Sequence, residues 1–219
     1  MKKPQERTVR YQFSTPIKRL CDVLLAGVMM IAAGPVMLLT ALAIRLIDGR
    51  PVFFRQLRVG IDGLPFELLK FRTMLSAASD TCHRDYASKW IAEGRPFTNG
   101  ERAPLFKIAA DPRVTRLGGF LRRFSIDELP QLINVLRGEM SIVGPRPAIP
   151  YEVAMYQDWH KRRLNALPGL TGLWQVSGHN RLSFDEMVNL DIEYIEHWSL
   201  ARDLQILART PIAVLRGSR

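Results

Sequence analysis

Two adjacent carboxylates, Asp127 and Glu128, follow the arginine pair Arg122-Arg123 inside the stretch Leu121–Gln131. A carboxylate beside fixed positive charge stays ionised and can attack phosphorus, forming an acyl-phosphate. A helix starting at this point would also favour a phosphate at its N-terminus. Glu128 could then ligate a metal or handle a proton. Carboxylates bridged to phosphate oxygens suit a hard cation, and Mg²⁺ is the ion expected. A structural reading fits the same residues, because Ser125-Ile126-Asp127-Glu128 matches a capping box with acidic residues in its first turn. The local pattern leaves both readings open.

The basic residues that would serve such a site are Lys70 and Arg72, on one face of a strand, and Arg146, set in Gly144-Pro145-Arg146-Pro147. Arginine grips phosphate through a bidentate fork. One arginine alone is usually solvated surface, whereas several beside an acidic pair suit a diphosphate. A further carboxylate, Asp191, falls on the apolar face of a helix with Phe184, Met187, Val188, Tyr194 and Ile195. There it is costly unless paired or metal-bound, so a salt bridge to arginine and a place in the site are both open.

These groups need a scaffold, and the chain has one domain's length, 219 residues with 47% hydrophobic content. Its net charge of +10 calls for an anionic partner: nucleic acid, a phosphate-bearing ligand or an anionic membrane. Cys21 and Cys82 make no disulfide framework, which suits a reducing compartment. From Val23 to Ile44 the sequence carries no charge. That run is too long for a signal peptide and has too many residues ahead of it, but it is long enough to span a bilayer.

Gly34-Pro35 falls at its midpoint, where proline interrupts a helix. Each half is about 15 Å long at 1.5 Å per residue, half a bilayer. Basic residues stand on both sides: Lys2, Lys3, Arg7, Arg10, Lys18 and Arg19 before, Arg45, Arg50, Arg55 and Arg58 after. A spanning helix would put one group on the wrong face, so a re-entrant helix-break-helix is favoured over a simple span.

The fold expected is α+β and mostly helical. Residues 1–50 form the basic segment and re-entrant helix; residues 51–219 form a catalytic domain containing a β-hairpin. Residues 52–71 read as that hairpin, turning at Asp62-Gly63. Residues 75–101 read as a polar, partly helical excursion without a sustained apolar face. Helices are expected over 131–137, 151–165, 183–197 and 203–215, the last basic and amphipathic with a kink at Pro211. Residues 170–178 read as strand or loop.

Beyond these residues taken singly, the chain resembles the bacterial sugar transferase family, the monotopic phosphoglycosyl transferases. The matching segments are Lys18-Arg19 with Asp22, the central proline, Pro51–Gln56 with Arg58 and Gly60, Lys70–Met74 and Asp111–Gly118. They continue with Asp127–Gln131, Arg137–Ser141, Val143–Pro147, Pro168–Gly172 and Trp174–Gly178. The resemblance implies a Mg²⁺-dependent two-step transfer. Asp127 attacks the β-phosphate of a UDP-sugar, galactose or glucose being favoured, and UMP leaves. The covalent sugar-phosphate then passes to undecaprenyl phosphate, priming exopolysaccharide or related glycan synthesis.

By motif position the resemblance makes Lys70, Arg72, Arg122, Arg146, Gln175 and Arg181 substrate-binding, and Asp127, Glu128 and Asp191 metal-binding. It also implies a minimal catalytic unit on the cytoplasmic face of a bacterial inner membrane. Two features depart from the family: His179 stands where arginine is usual, and the segment 75–101 is longer than in the smallest members.

Expected partners are thus the UDP-sugar, the polyprenyl phosphate and an anionic membrane, with a homo-oligomer left open. Nucleic acid is not expected, since none of its common binding signatures is present. The alternative reading is a non-catalytic basic scaffold at the membrane surface, which accounts for the charge but not for the acidic pair.

Overall fold

Helix α1 (Pro16–Ile47) is built from the apolar run and ends in the basic Arg45. The computed structural model that contains it describes residues 16–75, 81–93, 113–178 and 182–217. Gly34 and Pro35 do not end α1, as the helix-break-helix expectation had it; Pro35 lies inside one continuous helix. Proline removes one donor and crowds the preceding turn, a disturbance that a long apolar helix absorbs by bending.

Both ends of α1 dock on the rest of the chain. Lys18, Asp22 and Ala26 are buried near its start and Thr40 and Ile44 near its end, while Ile31 and Leu38 between them are 81% and 72% exposed. A straight α1 would be about 48 Å long, and a rod laid on a surface would bury a stripe through its middle. This helix buries its ends and projects its middle. Lys18 and Arg19, expected as markers of the membrane flank, are instead packed into the domain. Lys18 is buried, and Arg19 donates to the carbonyls of Val135 and Leu136.

Strands β1 (Phe53–Val59) and β2 (Pro65–Phe71) form the expected antiparallel hairpin, Phe53 opposite Phe71 and Phe54 opposite Lys70. Its turn places Asp62 and Gly63 at φ 57° and 79°, the left-handed region these two residue types tolerate. Helix α2 (Thr81–Glu93) does carry an apolar face: Ala87, Trp90 and Ile91 are buried, and Trp90 meets the edge of Phe184 at 5.0 Å. The remainder of the 75–101 excursion lies largely outside the described residues.

Helices α3 (Arg116–Arg123) and α4 (Gln131–Arg137) flank a single 3-10 turn, Ile126–Glu128. Strand β3 (Ser141–Val143) pairs in parallel with β4 (Gly169–Thr171). The backbones meet so closely after β3 that a Cβ on Gly169 would lie 2.1 Å from the nitrogen of Gly144. Only glycine permits that approach.

The single helix expected over 151–165 is two short pieces, α5 (Pro150–Val153) and a 3-10 turn over His160–Asn165. Between them the backbone N–H of Gln157 donates to His160 Nδ1, a local side-chain bond that competes with the helix. Residues 170–178 divide into the end of β4 and a short helix, α6 (Leu173–Ser177). Helix α7 (Phe184–Glu196) starts at a reciprocal box between Ser183 and Glu186. Helix α8 (Leu200–Gly217) runs continuously through Pro211.

One core gathers Leu68, Leu132, Val135, Ile142 and Tyr194 with Ala26 of α1. A second joins Trp90, Trp174, Phe184 and Val188. The third is small: Phe71 and Leu121 close over Ile44, with Met37, Ala41 and Ile126 beside them.

Candidate active site

The acidic pair sits where α3 gives way to α4. Ser125 adopts the left-handed conformation (φ 54°, ψ 24°), uncommon outside glycine, and folds the chain into the 3-10 turn. Its side chain makes no capping bond, so the capping box suggested by the sequence does not form. Asp127 is 8% exposed. Glu128 is more open and pairs with Lys70 Nζ at 3.0 Å. Arg122 donates from Nε to Thr73 Oγ1 at 2.8 Å, fastening α3 to the chain just past β2. Ile126, one residue before Asp127, packs into the small core that receives the end of α1. The acidic turn therefore has a cation on one side and the apolar helix on the other.

A wall of arginine stands nearby. In β1, Arg58 donates to the carbonyl of Pro147 at 2.9 Å and to Gln56 Oε1 at 2.6 Å. The next residue, Val59, bridges to Ala148. Arg146 thus enters on a segment sewn to β1, with Nη1 3.6 Å from Glu152 Oε1. Burial, reinforced by Arg146, lowers the Arg58 pKa to about 10, while Glu152, Tyr151 and Glu128 pull the other way. Burial opposes ionisation of Glu152, yet Arg146 and Arg58 outweigh it and hold its carboxyl below the usual range.

Not every sequence candidate joins this group. Arg72 binds the carbonyls of Asp48, Gly49 and Arg50, closing the exit from α1. Lys70 and Arg72 diverge because β2 ends at Phe71 and the strand alternation stops with it. Asp191, expected among the metal ligands, is buried against Arg163 Nη2 at 2.5 Å. Burial pushes its carboxyl up to about 6, opposed by Arg163 and Arg146. Among the described residues no three His, Cys, Asp or Glu side chains gather closely enough to hold a metal, so Asp127, Glu128 and Asp191 do not form a shared ligand set.

Among the described residues Gln175 reaches the carbonyl of Leu170, at 3.5 Å. Arg181 and His179 lie outside the described residues. The sequence reading missed Glu152 and Arg163 and gave Arg58 no role in the site. Arg58 stood within a quoted motif; the other two carried no local signal.

Paired carboxylates with Lys70 beside them, next to a helix long and apolar enough to cross a membrane, have the donor and charge types that phosphate chemistry at a lipid surface uses. The bacterial sugar transferase family matches residues 13–217. The exopolysaccharide production protein ExoY of Sinorhizobium fredii is 41% identical over 217 residues, 98% of this chain and 93% of that protein. The undecaprenyl-phosphate galactose phosphotransferase of Salmonella typhimurium is 39% identical over 91% of this chain and 40% of its own length. The UDP-glucose:undecaprenyl-phosphate glucose-1-phosphate transferase of Caulobacter vibrioides is 40% identical over 90% of this chain and 69% of its own length. The chain belongs to the bacterial sugar transferase family and is a transferase.

Proposed function

We propose that this enzyme moves a hexose-1-phosphate, galactose or glucose, from a UDP-sugar to undecaprenyl phosphate through a covalent intermediate on Asp127. The observation that carries the reading is the position of the acidic turn, held between the Lys70–Glu128 pair and the end of the apolar helix α1. A water-soluble diphosphate and a lipid-borne phosphate can both reach a carboxylate placed there. The relatives named for galactose and for glucose transfer support the choice of sugar.

In the first step an Asp127 carboxylate oxygen forms a bond to the β-phosphorus of the donor. The bond from that phosphorus to the bridging oxygen breaks, and UMP leaves with the electron pair. In the second step an oxygen of the polyprenyl phosphate attacks the same phosphorus, and the Asp127 carboxylate is released. Arg146 and Arg122 neutralise the diphosphate charge while Lys70 orients Glu128. Asp127 and Glu128 are the carboxylates that would hold a Mg²⁺ ion together with substrate phosphates, and the ion would supply charge neutralisation there.

With both ends docked on the domain, α1 puts its exposed middle into the cytoplasmic leaflet of the inner membrane, which leaves the acidic turn near the headgroups. Exposed Phe120 and Phe124, their rings tilted against each other with centroids 5.0 Å apart next to that turn, would meet the same interface. UMP release from detergent-solubilised protein, with undecaprenyl phosphate, Mg²⁺ and a panel of UDP-sugars, tests the reading. Release with a UDP-hexose that disappears in Asp127→Asn is expected. Folded wild-type protein that releases UMP from no donor would overturn it.

A further inference from the structure

Behind Arg146 lies a group of buried charges that neither step above uses. Arg163 and Asp191, each 1% exposed at the side chain, form an ion pair in the interior. Both members also grip the backbone of Arg146: Arg163 Nη2 donates to its carbonyl at 3.2 Å, and Asp191 accepts from its N–H. Tyr156 accepts a further bond from Arg163 Nη1 at 2.9 Å, which fixes the guanidinium from the far side.

The side chain of Arg146 has its own counter-charge. Glu152 is 2% exposed; its Oε2 accepts from the N–H of Ile149 at 3.0 Å, while its buried Oε1 makes no hydrogen bond among the described residues and faces Arg146 Nη1 at 3.6 Å. The same carboxylate lies in the field of Arg58. Two guanidiniums thus converge on one carboxylate. A buried carboxylate without a full set of partners is costly, which suits a group kept to orient a cation.

We infer that Glu152 and the Arg163–Asp191 pair are positioning residues that aim Arg146 at the phosphates of the nucleoside diphosphate donor. The inference rests on the reading of the site as a UDP-sugar transferase. It replaces the metal role expected of Asp191 with a mechanical one: Asp191 acts through the backbone of Arg146, and Glu152 acts through its side chain.

The experiment is a double-mutant cycle on the full chain in detergent, measured as UMP release against donor concentration. Glu152→Gln is expected to raise the donor KM about 10- to 100-fold, the range for losing a charge-assisted bond to phosphate, with the acceptor KM unmoved. In an Arg146→Ala background the same substitution is expected to change the donor KM less than about 3-fold, because coupled residues are non-additive. A full additional loss in that background, or an unmoved donor KM in the single variant, would overturn the proposal.

If Glu152→Gln does not fold, as judged by circular dichroism, Asp191→Asn and Glu152→Asp are put through the same cycle with the same criteria. UDP binding to the Asp127→Asn protein by calorimetry provides a readout without turnover. Weaker UDP binding in Glu152→Gln/Asp127→Asn than in Asp127→Asn alone supports positioning even where no sugar is transferred; equal binding overturns it.

Discussion

Two buried ionic groups hold this molecule together, and they are finished in opposite ways. At the foot of α1, Lys18 is shared between Asp22 Oδ1 at 3.1 Å and Asp203 Oδ2 at 2.8 Å. One cation serves two carboxylates, and the remaining acceptor capacity is met by neutral donors. Ser141 Oγ and the N–H of Ile142 bond Asp22, while Tyr194 Oη and Trp198 Nε1 bond Asp203. Behind the acidic turn the balance reverses: Arg58, Arg146 and Arg163 face Glu152 and Asp191. The first group is closed by the protein and joins α1 to α8. The second, as named, has one more cation than anion, which on the proposed reading serves the donor phosphates. A buried charge group is structural when protein donors complete it and functional when a ligand must.

Substitutions should separate the two groups. The largest effect on activity is expected at the second, where Arg146→Ala lowers kcat/KM for the donor by more than about 100-fold, a phosphate contact and its transition-state share being lost together. Thermal unfolding monitored by circular dichroism should fall in that variant, but less than in the Lys18 variant below, because Arg58 still faces the buried Glu152. The largest effect on stability is expected at the first, where Lys18→Met strands two buried carboxylates and costs about 3–5 kcal/mol, read from denaturant unfolding in detergent. If Lys18→Met cost less stability than Arg146→Ala, the contrast between the groups would be lost.

A smaller difference should appear with salt. Raising ionic strength from about 0.1 M to about 1 M shortens the screening length from about 10 Å to about 3 Å. The donor KM should rise severalfold over that range, because the second group meets its anion at the surface. The unfolding midpoint should respond much less, since the first group is sealed.

The smallest expected effect is one of pH, at the margin of the second group, where His160 lies against Tyr156 with ring centroids 5.8 Å apart. Burial lowers the His160 pKa below the ordinary 6.5, against the opposing bond to Asp185. With a folded pKa below the unfolded value, the unfolded chain binds the proton more readily. This contribution to stability is therefore complete above about pH 6.5 and declines as pH falls toward the folded value. His160→Gln should flatten that part of the stability profile, measured as the unfolding midpoint between about pH 5 and 8.

Much of the scaffold was legible because its signals are local. The hairpin announced itself through Asp62-Gly63, α7 through the helical spacing of Phe184, Met187, Val188, Tyr194 and Ile195, and α1 through an uncharged run too long for most other uses. The segment 151–165 was misread because Gln157 and His160 bond each other across one turn, a competition that apolar spacing does not record. The face of α2 was missed because the buried Ala87, Trp90 and Ile91 stand among polar neighbours.

At the site the same division holds. Side-chain type and spacing along the chain determined the acidic pair, the basic motifs around it, the apolar helix and the proline at its centre. Which cations meet which anions was decided only by the tertiary structure. Arg163 and Asp191 are 28 residues apart and Lys70 and Glu128 are 58 apart, and nothing within a helical turn or a strand period connects them. Arg72 shows the reverse: two residues from Lys70 in sequence, it faces the exit of α1 because β2 has already ended. Periodicity reports only the direction of a side chain from its own element. The partner it reaches depends on how elements pack, and packing is settled by the whole core at once.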